Sequence, residues 1–180
     1  MIKAWRTLDR RVLLDRKPWF QVGEETVALP DGTTLDDFGF IDMLDYAVIV
    51  AITAAGETIL IRSYKHGIRA VSLSLPGGGL HAGEEPLASA QRELREETGY
   101  ESERWEPLGR FVVDPNYGCG AMYAFIAHAA HKVCEPASGD HEEQELVLIP
   151  FAGAIAKLRS GEIAQLSTTA ALGLAAIALG

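Results

Sequence analysis

Residues 75–100 read LPGGGLHAGEEPLASAQRELREETGY, and they leave the chain little conformational choice. Pro76 and the run Gly77-Gly78-Gly79 end whatever strand precedes them, because proline removes a ladder donor and glycine opens turns closed to other residues. Pro86 suits the first turn of a helix and Gly99 the position just past the last. Between them Leu87, Ala90, Leu94 and Thr98 recur at helical spacing, so the spacing predicts a helix over 86–98 with an inward apolar stripe. Glu93, Glu96 and Glu97 stand at i, i+3 and i+4, on one face beside that stripe. Like charges so placed cost an isolated helix about 0.2–0.5 kcal/mol per pair. The crowding therefore asks for a reason.

Two reasons are open on the residues alone. A solvated acidic face tolerates such a run, as most charged stretches do. A divalent cation would draw the carboxylates together, and hard oxygen donors suit Mg²⁺ or Mn²⁺, which share their coordination with substrate phosphates. Arg92, one turn before Glu96, is placed to orient a carboxylate by a charge-assisted hydrogen bond. The glycines ahead of the helix let backbone approach phosphate or metal closely.

The flanks predict an α+β domain. Residues 10–45 have the pattern of a meander of short strands, with LPDGTT as a turn. YAVIVAIT (46–53) is a continuous apolar run rich in β-branched residues, hence a buried strand. AAGE turns it into TILIRSY (58–64), and AVSLSL (70–75) alternates as a further strand. WEPLGRFVVD, GAMYAFIAHAA and ELVLIPF are three more, and two helices near 151–160 and 167–179 close the chain. Residues 1–45 are expected as an N-terminal antiparallel β region and 46–180 as the main domain.

At 180 residues the chain can bury a core without disulfides. Its 16 basic and 25 acidic residues leave a net charge of −9, which disfavours nucleic acid as a partner. A phosphorylated substrate stays compatible, since bound cations reverse the local field. Cys119 and Cys134 match no metal or secreted-disulfide spacing and read as reduced thiols of a cytoplasmic protein. The N-terminus interleaves charge with apolar residues, unlike a signal peptide, and the apolar C-terminal run is too short to cross a bilayer.

From Gly78 the stretch runs five residues to Glu84, seven more to Arg92, then Arg92-Glu93-Leu94-Arg95-Glu96-Glu97-Thr98-Gly99-Tyr100. This resembles the Nudix box, G-x5-E-x7-R-E-U-x-E-E-x-G-U with U a bulky apolar residue, if Tyr100 is accepted as the last U. The resemblance implies a Nudix-type α/β/α sandwich with a mixed sheet, and hydrolysis of a diphosphate linked to another group with Mg²⁺, or Mn²⁺. It implies Glu93 and Glu97 as the main metal ligands and catalytic carboxylates, with Glu96 as a further ligand and the Gly77 carbonyl completing the set. Arg92, Glu84, Gly78 and Gly99 would hold the loop and helix together.

Three flanking features are similar to the ADP-ribose (ADP-sugar) pyrophosphatase branch. Pro115 falls sixteen residues after Gly99, although an ordinary turn proline reads the same way. ILIRSYKHGI (59–68) places Arg62, Lys65 and His66 where phosphates would be met, or at the polar end of a strand. RSGEIAQLSTTAALGLAA (159–176) is similar to the branch's last segment. The branch commonly has Glu-Leu-Pro-Ala-Gly where this chain has Ser74-Leu75-Pro76-Gly77-Gly78. The resemblance further implies Glu143 as general base, Glu145 as an extra metal ligand and Glu142 as the fallback base. Trp19 and Phe38 stand about where the branch stacks the adenine, or else belong to the core. His81, His128, His131 and His141 show no ligand spacing.

The expected substrate is thus a nucleoside-diphosphate sugar, ADP-ribose first, with GDP-mannose or another dinucleotide as the rival and a homodimer as the expected assembly. A non-catalytic nucleotide-sugar sensor is disfavoured because no carboxylate of the motif is missing. A house-cleaning nucleoside-triphosphatase is disfavoured by the long N-terminal strand region.

Overall fold

A computed structural model describes residues 1–139 and 143–180. The chain divides into two compact units, residues 1–45 with 111–121, and residues 46–110 with 122–180.

The first unit is built on three antiparallel strands, β1 (Arg6–Arg16), β2 (Phe20–Ala28) and β3 (Thr34–Met43). LPDGTT makes the β2–β3 turn: Gly32 N–H donates to the Leu29 carbonyl at 3.1 Å and the Asp31 carboxylate accepts from Thr33 N–H at 2.9 Å. The strands are 11, 9 and 10 residues long rather than short. Charges interrupt the alternation of RTLDRRVLLDR, and the structure answers them across the sheet. Arg11 reaches Glu24 at 2.6 Å, Arg10 reaches Asp42 at 2.8 Å, and Thr7 donates to Glu25 at 3.1 Å. Exposed pairs of this kind add little each, and every residue of β1 is exposed. Far along the chain, residues 111–121 join this unit: Ile41 N–H donates to the Tyr117 carbonyl at 2.9 Å, and Asp45 Oδ1 accepts from Ala121 N–H at 2.8 Å.

The second unit holds β4 (Tyr46–Thr53), β5 (Glu57–Lys65), β6 (Ala70–Ser74), α1 (Pro86–Thr98) and β7 (Tyr100–Glu101). The chain then runs through both units in β8 (Arg104–Asp114) and β9 (Gly118–Lys132), and finishes in the second with β10 (Gln144–Pro150), α2 (Phe151–Ser160) and α3 (Leu166–Leu179). The sheet is mixed: β4 runs parallel to β9 from Tyr46↔Met122, while β5 is antiparallel to both β10 and β6. YAVIVAIT is apolar throughout because both of its faces are covered. Ala47, Ile49 and Ala51 pack with Ile59 and Phe125 against Ala90 and Leu94 of α1. Val48, Val50, Leu60, Met122 and Ile126 pack against Ala154 of α2 and Ala171, Leu172 and Ala175 of α3. Helix, sheet and helix pair make three layers. Among the described residues no helix is long and apolar enough to cross a membrane.

Helix α1 begins with Pro86 in its first turn and stops at Gly99, whose φ of +75° is the left-handed conformation and whose N–H donates to the Arg95 carbonyl at 2.8 Å. A Cβ at Gly99 would stand 2.1 Å from the Cys134 carbonyl oxygen, so only glycine closes this helix here. Its buried face is Ser89, Ala90, Leu94 and Thr98. Leu87, expected on that face, remains 39% exposed. Ser89 is buried instead because its hydroxyl is partnered, accepting from Arg92 at 3.3 Å.

Candidate active site

The Gly77–Gly79 loop is tied to β4. Ile49 N–H donates to the Pro76 carbonyl and Ala47 N–H to the Gly78 carbonyl, both at 2.9 Å. A Cβ on Gly77 would meet the Ala47 carbonyl oxygen at 2.2 Å, and one on Gly78 would meet the Glu93 carboxyl carbon at 2.4 Å. The absent side chains are what let α1 bring its carboxylates onto backbone. Glu97 accepts from Gly77 N–H at 2.8 Å. The carbonyls of Pro76, Gly78 and Gly79 are all engaged, the last by Arg92 at 3.2 Å, whereas among the described residues no donor reaches the Gly77 carbonyl.

Arg92 organises the rest. Its guanidinium grips Glu84 with two hydrogen bonds, Nε to Oε1 at 2.9 Å and Nη2 to Oε2 at 3.0 Å. Nη1 reaches Glu93 at 2.7 Å and Glu96 at 3.2 Å. Glu84 also accepts from His81 N–H at 2.8 Å, which fastens the loop to the helix. The planar fork of arginine suits this many-armed contact and an ammonium does not. The Arg92 hydrogen bonds hold the Glu84 carboxyl down to about 2, although burial pushes the other way. The same partners, Glu84 foremost, raise the Arg92 pKa further above its ordinary value. Glu93 and Glu84 are largely buried, with side chains 13% and 15% exposed, and Glu96 is 44% exposed. Three carboxylates thus gather around one guanidinium, and a fourth, Glu97, is held by the adjoining loop. This excess of negative charge in partly buried surroundings favours a bound cation. Among the described residues no three acidic, histidine or cysteine side chains already converge as a metal cluster. Glu93 and Glu96 turn toward Arg92, and Glu97 toward Gly77.

A second cluster surrounds a cavity of about 680 Å³ lined by residues of β5 and of the segment leading into β10. Arg62, Ser63, Tyr64, His66, Glu143 and Glu145 contribute to it. Arg62 and Glu145 face each other in the strand register and pair at 3.1 Å. Lys65 ends β5 opposite Ala70, and the Glu143 side chain is exposed just before β10. Glu142 and His141 lie outside the described residues.

The remaining expected residues belong to the first unit. Trp19 is 69% exposed. Phe38 meets Trp5 edge-on at 5.7 Å. Pro115 sits in the β8–β9 turn, where Asp114 Oδ1 accepts from Asn116 and Tyr117 N–H at 2.7 and 2.9 Å. His128 pairs with Glu106 at 2.9 Å. Sequence reasoning passed over Ser89 and the Gly79 carbonyl, which hold the far side of the Arg92 fork. The one available signal was that Ser89 precedes Arg92 by three residues, one helical turn.

Residues 43–168 match the family model described as the NUDIX domain, and residues 5–41 the model described as the nucleoside diphosphate sugar hydrolase N-terminal domain. The chain is 33% identical over 101 residues to the methanol dehydrogenase activator of Bacillus methanolicus, a match covering 56% of this chain and 54% of that one. The chain therefore spans about half the length of that relative. It is 26% identical over 125 residues to the ADP-ribose pyrophosphatase of Bacillus subtilis (strain 168), covering 69% of this chain and 68% of the relative. A crystal structure described as that of ADP compounds hydrolase superposes with a TM-score of 0.83 at 22% identity, over 99% of this chain and 96% of the other, so the two share the α+β Nudix fold. With the family model covering more than half of its length, the chain belongs to the Nudix hydrolase family.

Proposed function

We propose that this chain hydrolyses the pyrophosphate bond of a nucleoside-diphosphate sugar, ADP-ribose foremost, to a nucleoside monophosphate and a sugar phosphate. The observation that carries this reading is the knot of Glu84, Glu93, Glu96 and Glu97 around Arg92 and the Gly77–Gly79 loop. The match of residues 5–41 to the N-terminal domain of nucleoside diphosphate sugar hydrolases supports the substrate class. The similarity to an ADP-ribose pyrophosphatase supports the adenine.

Nudix hydrolases generally use divalent metal ions. The donor chemistry here fits one: hard carboxylate oxygens and a Gly77 carbonyl that no donor occupies among the described residues. We assign Gly77, Glu93, Glu96 and Glu97 as the holders of Mg²⁺, with Mn²⁺ as a substitute, and Glu145 as an additional ligand. When bound, the cation neutralises the diphosphate and activates water. The protein's own part is positional. Arg92 keeps Glu84 and α1 locked to the loop, and the glycines keep that loop close to the carboxylates. Glu143 takes the proton as water oxygen bonds to phosphorus and the bridging phosphorus–oxygen bond breaks. Arg62 and Lys65 are assigned to the substrate's phosphates. Trp19, Phe38 and Pro115 are assigned to its base on sequence resemblance. A cytoplasmic homodimer goes with this reading, and the exposed Leu8, Val12 and Leu13 of β1 are apolar surface for a second copy to cover.

The test is a panel of ADP-, GDP- and UDP-sugars with Mg²⁺ or Mn²⁺, scored by released monophosphate. ADP-ribose is expected to lead. Glu97→Gln should lower its turnover by about a hundredfold or more with an unchanged unfolding temperature. Wild-type turnover in that variant would remove Glu97 from the site, and a silent panel would remove the activity.

A further inference from the structure

Eight polar residues are buried in the described structure, and six have their side chains answered. Gln21 donates to Asp15, Ser72 to the Glu162 carbonyl, Ser74 to the Ile61 carbonyl and Thr98 to the Leu94 carbonyl. Ser89 accepts from Arg92, and Thr168 from Leu75 N–H. The hydroxyls of Thr58 and Ser63 have no partner among the described residues. Native proteins rarely leave such groups unpaired, and each one that is left calls for a physical reason. The two orphans differ in position. Ser63, only 2% exposed, lines the 680 Å³ cavity together with Glu143, and Thr58 does not. Strand alternation also puts Ser63 on the same face of β5 as Ile59, which packs under α1 with Leu94.

The cavity's charge decides what chemistry it takes. Arg62 is already matched by Glu145 at 3.1 Å, so among the described residues Glu143 adds an unmatched carboxylate to the lining. Neutral hydroxyls suit it, since carboxylates accept from them and a serine both donates and accepts. Serine turns about a single χ bond among three staggered wells, so the Ser63 hydroxyl has few orientations to sample beside the cavity.

We propose that Ser63 is a specificity-determining residue whose hydroxyl pairs with a hydroxyl of the sugar half of the substrate. The inference rests on the pyrophosphatase reading and deepens it. A site built to hydrogen-bond a substrate hydroxyl discriminates strongly against an analogue that lacks it.

The experiment compares kcat/KM for ADP-ribose with that for an ADP alkyl ester carrying no hydroxyl on its transferred half, in wild type, Ser63→Ala and Thr58→Val. Ser63→Ala should lower the ADP-ribose-to-ester ratio about tenfold, the scale of one lost hydrogen bond to a substrate group. Its unfolding temperature should hold or rise, because an unsatisfied buried hydroxyl is removed. Thr58→Val should behave alike in unfolding and keep the wild-type ratio. An unchanged ratio in Ser63→Ala, or a fall of several degrees in its unfolding temperature, overturns the proposal. If wild type cleaves neither compound, the pyrophosphatase reading falls and this inference with it.

Discussion

Arg92 shows how much of the site one side chain can organise. It contacts Glu84, Glu93, Glu96, Ser89 and the Gly79 carbonyl, so it links three glutamates, the helix and the loop in one network. Its pairing with Glu84 carries a pH signature. The Glu84 carboxyl titrates at about 2 in the folded chain against an ordinary 4.5. Protonation therefore favours unfolding: the pair's contribution is complete above 4.5, shrinks as pH falls below it, and is gone once pH passes below about 2. Denaturant titration of wild type against Glu84→Gln should show wild type more stable at neutral pH and the gap closing on acidification through that window. A gap independent of pH would mean that Glu84 carries no depressed pKa.

The loop–helix unit is set by glycines at its two ends. At the near end Gly78 admits the Glu93 carboxylate, and at the far end Gly99 turns the chain at φ +75° against the Cys134 carbonyl. The Gly99 carbonyl also accepts from Val133 and Cys134 N–H at 2.8 and 3.2 Å, so the cap ties α1 to the chain just after β9. Gly99→Ala combines left-handed strain with a Cβ 2.1 Å from a backbone oxygen that cannot swing aside. A cost of about 2–4 kcal/mol is expected, above the ~1 kcal/mol of strain alone. Urea unfolding measures it. A loss under about 1 kcal/mol would show that the segment at Cys134 gives way freely.

The whole molecule divides after residue 45 and again on either side of residues 111–121, where no local pattern in the sequence marks a boundary. Residues 111–121 are compact with residues 1–45, through the Ile41–Tyr117 and Asp45–Ala121 hydrogen bonds. Deleting residues 1–45 would strip these partners and leave backbone donors and acceptors of the 111–121 segment unpaired, an invitation to edge-to-edge association. A fragment of residues 46–180 should be aggregated in light scattering and lack a cooperative thermal transition. A monodisperse fragment that unfolds cooperatively would show that residues 111–121 need no partner from the N-terminal strands.

What the sequence by itself determined was local or periodic. Pro86 and Gly99 delimit α1, the i, i+3, i+4 spacing puts three glutamates on one face, and the unbroken apolar run of β4 announces a strand covered on both sides. Each of these depends on neighbours within one or two turns, or on the alternation of a single strand, so no knowledge of the rest of the chain is needed. Tertiary structure decided which distant groups meet. Arg62 faces Glu145 only through the β5–β10 register, and Ser63 lacks a partner among the described residues only because of what surrounds it. Register and layer contacts join residues many tens of positions apart, and no local spacing encodes them.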